Sequence, residues 1–147
     1  MKLPEINITV SIDKAKKSEL YKINSSGDAD KVFRMIFDAD KIDWIEESII
    51  ICLNRANKVV GYYKVSSGGT SGTVIDQKVI FTVALNCLAS AIIIAHNHPS
   101  GQLIPSDADK KVTRQLQDGG KILGIDVLDH LILTDEGYFS FADDGLM

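Results

Sequence analysis

The succession of apolar patterns along the chain predicts an α/β domain, a mixed β-sheet flanked by helices. Two β-branched apolar runs, residues 48–53 and 91–95, suit buried strands. Three other stretches repeat apolar residues at helical spacing, and they alternate with the strand-like runs. At 147 residues the chain has the length of one ordinary domain, and no linker divides it.

The elements follow in order. Residues 6–12 alternate apolar and polar side chains (Ile6, Ile8, Val10, Ile12) and read as a half-buried strand. Ser25, Ser26, Gly27 and Asp28 supply a turn and capping groups for a helix over 29–38, where Val32, Phe33, Ile36 and Phe37 share a face. Residues 45–65 read as a hairpin, with a strand over 48–53, a turn at 54–57 and a return over 58–65. A Gly/Ser/Thr-rich loop spans 66–73. An amphipathic helix is expected over 76–89, with Ile80, Ala84, Cys87 and Leu88 on one face. Residues 91–95 then form a central strand. A further helix over 107–118 is anchored by Val112 and Leu116, and Gly119-Gly120 should end it. Strand-like runs at 125–128, 131–134 and 138–141 complete the sheet.

Composition excludes several classes. With 45% hydrophobic residues and a net charge of −4, the chain is too apolar and too weakly charged to be disordered. No apolar run reaches the roughly 18 residues of a membrane span. The opening MKLPEINITV lacks the pattern of a signal peptide, so a cytoplasmic protein is expected. A pI near 5.3 is not the footprint of a nucleic-acid binder. Lys14, Lys16 and Lys17 are the one dense basic run and read as a solvated surface. Cys52 and Cys87 lie far apart in apolar stretches, and read as reduced, buried small hydrophobes.

Chemistry concentrates after the central strand. Two of the three histidines stand in Ala95-His96-Asn97-His98-Pro99. Positions i and i+2 of a strand share a face, so both imidazoles emerge together where the strand ends at Pro99. An H-x-H pair on a rigid strand end suits a metal better than two unrelated histidines do. Ser106 and Asp109 open the next helix, and Asp109 offers a carboxylate. Two imidazoles and one carboxylate leave a fourth tetrahedral position for water, as catalytic zinc sites do. Ser106 and Asp109 also have the spacing of a capping box, a role Asp109 cannot easily combine with metal ligation.

His96-x-His98-Pro99, Ser106 and Asp109 stand at the spacing of the JAB/MPN (JAMM) metalloenzyme signature. The wording HNHPSG, with Asp129-His130 and Ser140-Phe141 downstream, resembles the RadC branch of that family. The resemblance covers about residues 45–147. It implies a single JAB/MPN-type, cytidine-deaminase-like domain there, with residues 1–44 an N-terminal extension packed on it. It further implies Zn2+ held by His96, His98 and Asp109, with Ser106 near the activated water and an upstream glutamate as general base. Counting back from Leu53-Asn54, Glu46 best matches that glutamate, and Glu47 would point to the opposite strand face. The implied activity is hydrolysis of a peptide or isopeptide bond in a protein or peptide substrate.

His130 could orient a ligand or loop, but a histidine entering a strand such as 131–133 reads in preference as a structural hydrogen-bonding residue. Glycines 68, 69 and 72 match neither phosphate-binding pattern, so the 66–73 loop is expected to shape substrate access. A zinc deaminase lacks support, because its H-x-E and P-C-x-x-C ligands are absent. The other alternative is a non-catalytic, DNA-repair-associated accessory module. The acidic balance and the lack of a Gly-containing helical hairpin before residue 45 leave direct nucleic-acid binding weak or absent.

Overall fold

The computed structural model describes residues 1–13, 15–69 and 72–147. Lys14 of the basic run and Thr70 and Ser71 of the Gly/Ser/Thr loop lie outside the described residues. The elements are α1 (Ser26–Ile36), β1 (Glu47–Leu53), β2 (Val59–Ser67), α2 (Gln77–Asn86), β3 (Ala91–Asn97), α3 (Asp107–Leu123), β4 (Asp126–Leu133) and β5 (Tyr138–Ser140). The sheet order is β2-β1-β3-β4-β5. β3 pairs antiparallel with β1 and parallel with β4, so the sheet is mixed and the histidine-bearing strand lies at its centre.

Alternation along the strands builds two cores. Ile49, Ile51, Leu53, Ile93 and Ala95 face Ala29, Val32, Phe33 and Phe37 of the α1 region. Ile50, Cys52, Ile92 and Ile94 face Ile80 and Ala84 of α2 and Leu116 of α3. Both faces of β1 and β3 are covered, which is why these runs are apolar without a break. The α1 region (Ile23 to Ile42) supplies much of the first core.

The structure departs from the sequence expectations at four places. Residues 6–12 form no strand, and Ile6 and Ile8 are exposed. A strand needs a ladder partner as well as alternation. The start of the β2 edge is already bonded to Tyr21 and Lys22, and residues 8–13 merely line a cavity against β2 and α2. Leu88 lies beyond the end of α2 with a positive φ of 52° and points into solvent. Gly119-Gly120 does not end α3. A Cβ on Gly120 would come 2.3 Å from the Ile125 carbonyl, so glycine there permits helix and chain to approach closely, and Gly124 in the left-handed region makes the stop. Finally, the runs 125–128 and 131–134 are one strand, because Asp129 and His130 are buried with their hydrogen bonds met.

Cys52 is buried and Cys87 half-buried, and both are free thiols. No helix of the described residues is long and apolar enough to cross a membrane.

Candidate metal centre

Strand alternation decides what each residue around the β3 terminus meets. Ile92, Ile94 and His96 face α3, whereas Ile93, Ala95 and Asn97 face the α1 side. His96 is fully buried in the strand, and His98 lies just past it with 16% of its side chain exposed. Their rings meet edge to face with centroids 4.8 Å apart, and their Nε2 atoms are 2.9 Å apart. The first turn of α3 brings Asp109 alongside, with Oδ1 3.3 Å from His96 Nε2 and Oδ2 3.6 Å from His98 Nε2. His96, His98 and Asp109 are a cluster that could hold a metal ion.

The donor set fits a metal. Ligand atoms at zinc bond lengths of about 2.0–2.1 Å in tetrahedral array stand about 3.3 Å apart, close to the nitrogen–oxygen separations here. The two nitrogens need to open by only a few tenths of an ångström. His98 Nδ1 donates to the Gln102 carbonyl at 2.7 Å, which leaves the Nε2 lone pair directed at the cluster when the ring is neutral.

Asp109 does what the sequence reading held to be difficult: it caps the helix and faces both histidines. Ser106 N–H donates to Asp109 Oδ2 at 2.8 Å, and Asp109 N–H donates to Ser106 Oγ at 3.1 Å. The box orients the carboxylate without using it up, because each oxygen can accept from more than one partner. Burial alone would raise the Asp109 carboxyl pKa, but the His96 and His98 rings beside it outweigh that and hold the group well below the usual carboxylate range. The same Asp109 carboxylate pushes the His98 pKa up against the effect of burial, with a smaller contribution from the charge of Glu46. Ser106 is exposed at the helix start, and its hydroxyl hydrogen is not needed for the cap.

Glu46 immediately precedes β1 and is half-buried. Its carbonyl accepts from Gly68 N–H at 2.8 Å, and the segment around it is held by Asn97. Asn97 Nδ2 donates to the Ile42 and Ile45 carbonyls at 2.6 and 2.8 Å, and its Oδ1 accepts from Glu47 N–H at 2.7 Å. Glu47 is buried on the other side and accepts from Lys64 Nζ at 2.9 Å.

Three further residues around the cluster lie outside the set of candidate ligands. Asn97, between the two histidines, ties their strand to the segment bearing Glu46. Thr113 lies one turn after Asp109, an i, i+4 position that does share its helix face. His130 comes from the neighbouring strand, with Nε2 2.8 Å from His96 Nδ1 and Nδ1 2.7 Å from Thr113 Oγ1. Burial lowers the His130 pKa well below its ordinary value. Its ring joins the Thr113 hydroxyl to His96, a candidate metal ligand.

A five-stranded α/β/α domain with a His-His-carboxylate cluster at the end of its central strand has the form of a JAB-type metal-site domain. Residues 23–146 match the family described as the RadC-like JAB domain, and the chain belongs to that family. It is 41% identical over 128 residues to a UPF0758 protein of Flavobacterium johnsoniae, an alignment covering 87% of this chain and 55% of that protein. A UPF0758 protein of Porphyromonas gingivalis is 46% identical over 103 residues, 69% of this chain and 45% of its own length. One from Symbiobacterium thermophilum is 41% identical over 70% of this chain and 44% of its own. The chain spans about half the length of the curated relatives it matches.

Proposed function

We propose that the domain is a zinc-dependent hydrolase that cleaves a peptide or isopeptide bond in a protein or peptide substrate. The observation that carries this reading is the convergence of two imidazole Nε2 atoms and a carboxylate at the partly exposed end of a rigid strand. Two nitrogens and one oxygen suit zinc among the common divalent ions, and three protein ligands leave room for water. When bound, zinc would supply a Lewis acid that makes water a nucleophile near neutral pH.

The chain's own residues provide the rest. Glu46 accepts the proton of the attacking water and passes it to the leaving amine nitrogen. Glu47 is unsuited to that task because its carboxylate is committed to Lys64. Ser106, whose hydroxyl hydrogen is free, donates to the oxygen that gains negative charge as the carbonyl is attacked. Asn97 holds the Glu46 segment against the strand of the histidines, which sets the distance between base and cluster.

The test combines metal analysis of the purified protein with hydrolysis of fluorogenic peptides and a lysine-linked isopeptide probe. The wild-type protein should carry about one zinc per chain, and Glu46→Gln should keep the metal while losing hydrolysis. His98→Ala should lose both. Full metal content in His98→Ala would end the reading.

A further inference from the structure

Thr113 and His130 belong to a hydrogen-bonded series that ends on the buried side of His96. Thr113 Oγ1 lies 2.7 Å from the Asp109 carbonyl oxygen, 2.7 Å from His130 Nδ1, and His130 Nε2 lies 2.8 Å from His96 Nδ1. The direction of each bond can be derived. Two oxygens at 2.7 Å must have a hydrogen between them, and a carbonyl has none to give, so the hydroxyl donates to Asp109. Thr113 Oγ1 can then only accept from His130, whose proton is therefore on Nδ1. The His130 ring is fully buried against Thr113, His96 and Phe141, none of which could balance an imidazolium, so it is neutral, presents a bare Nε2 to its neighbour, and His96 must donate to it from Nδ1. The one remaining lone pair of His96 is on Nε2, which faces His98 and Asp109.

From this series we infer that Thr113 and His130 are positioning residues that hold His96 in the Nδ1–H tautomer required for metal ligation through Nε2. The inference rests on the metal-site reading above and deepens it. Its origin at the Asp109 carbonyl means that the helix supplying the carboxylate also sets the proton on the imidazole. The His130 ring has little freedom to reorient. It stacks on Phe141 at 4.8 Å with an interplanar angle of 10°, and its backbone N–H donates to Asp129 Oδ1 at 2.7 Å. Asp129 is held in turn by the Ser140 hydroxyl at 2.6 Å and the Ala142 N–H at 3.0 Å. Without the Thr113 hydroxyl, His130 has no acceptor for an Nδ1 proton and gains by moving it to Nε2. His96 then accepts at Nδ1 and carries its own proton on Nε2, where the metal must bind.

Thr113→Val keeps the side-chain shape and removes only the hydroxyl, while Thr113→Ser restores it. Zinc affinity is measured by competition with a chromophoric chelator, and histidine tautomers in the metal-free proteins are read from long-range proton–nitrogen NMR. The expected result is a loss of zinc affinity of about 10- to 100-fold in Thr113→Val, with Thr113→Ser close to wild type. In the NMR spectra the His96 proton should move from Nδ1 to Nε2 in the valine variant. A folded Thr113→Val protein that binds zinc as tightly as wild type overturns the inference and leaves the metal site standing. A wild-type protein that binds no zinc overturns both. A His130 proton found on Nε2 in the wild-type protein overturns the derived direction by itself.

Discussion

Asn97 stands between the two histidines in sequence and points the opposite way in space. Its amide makes three hydrogen bonds to residues 42–47, and each partner is a backbone group. Asn97→Ala should therefore cost roughly 1–3 kcal/mol by leaving buried backbone groups without partners. It should also depress hydrolysis more than that loss explains, since the Glu46 segment is no longer tied to β3. Zinc affinity should stay at the wild-type level because Asn97 touches none of the three candidate ligands. Urea denaturation, chelator competition and steady-state hydrolysis measured on one preparation separate these effects. At the same scale, the choice between adjacent glutamates is a matter of parity. One residue along a strand reverses the face, so Glu47 meets Lys64 while Glu46 lies on the side where its charge acts on His98.

Among the elements, α3 carries most of the consequences. Its N-terminus presents Asp109 through the capping box, its second turn carries Thr113, and its last turns pass close to the start of β4. The two adjacent glycines near its end are predicted to behave differently. A Cβ at Gly120 would meet the Ile125 backbone carbonyl at 2.3 Å, and backbone cannot move aside cheaply. A Cβ at Gly119 would meet the ring edge of Phe81 at 2.7 Å, which can swing away. Gly120→Ala should destabilise the domain by about 1–3 kcal/mol through overpacking. Gly119→Ala should be near neutral, since a helix-propensity gain of up to about 1 kcal/mol offsets the strain. Thermal unfolding of both variants checks the ordering, and equal losses would contradict it. This also explains why the sequence suggested too short a helix. A Gly-Gly pair reads locally as a stop, yet both glycines serve tertiary contacts that local spacing does not reveal.

For the whole molecule, metal binding should be coupled to stability. Three ligands from β3, the turn after it and α3 come together only in the folded chain, so an ion bound there favours the native state. Free zinc at 100 times its dissociation constant adds about 2.7 kcal/mol. At roughly 2–4 °C per kcal/mol for a domain of this size, that is a rise in Tm on the order of 5–10 °C. Calorimetry with zinc and with a chelator should show the rise and its reversal, and His98→Ala should show neither. An unchanged Tm in the wild-type protein under saturating zinc would count against a site that needs the fold.

Much of this was legible in the chain. The uninterrupted apolar runs of β1 and β3 announce strands covered on both faces, and the H-x-H-P spacing, Ser106 and Asp109 mark the candidate ligands because strand and helix periodicity are local properties. By itself the sequence determined the α/β class, the family and the three groups that could bind a metal. Only the tertiary structure decided that residues 6–12 form no strand, that one carboxylate both caps a helix and faces two imidazoles, and that Thr113 meets His130 and His130 meets His96. The reason is physical: periodicity states which face a side chain occupies, but a hydrogen bond depends on which neighbour the sheet order and helix crossing place opposite it.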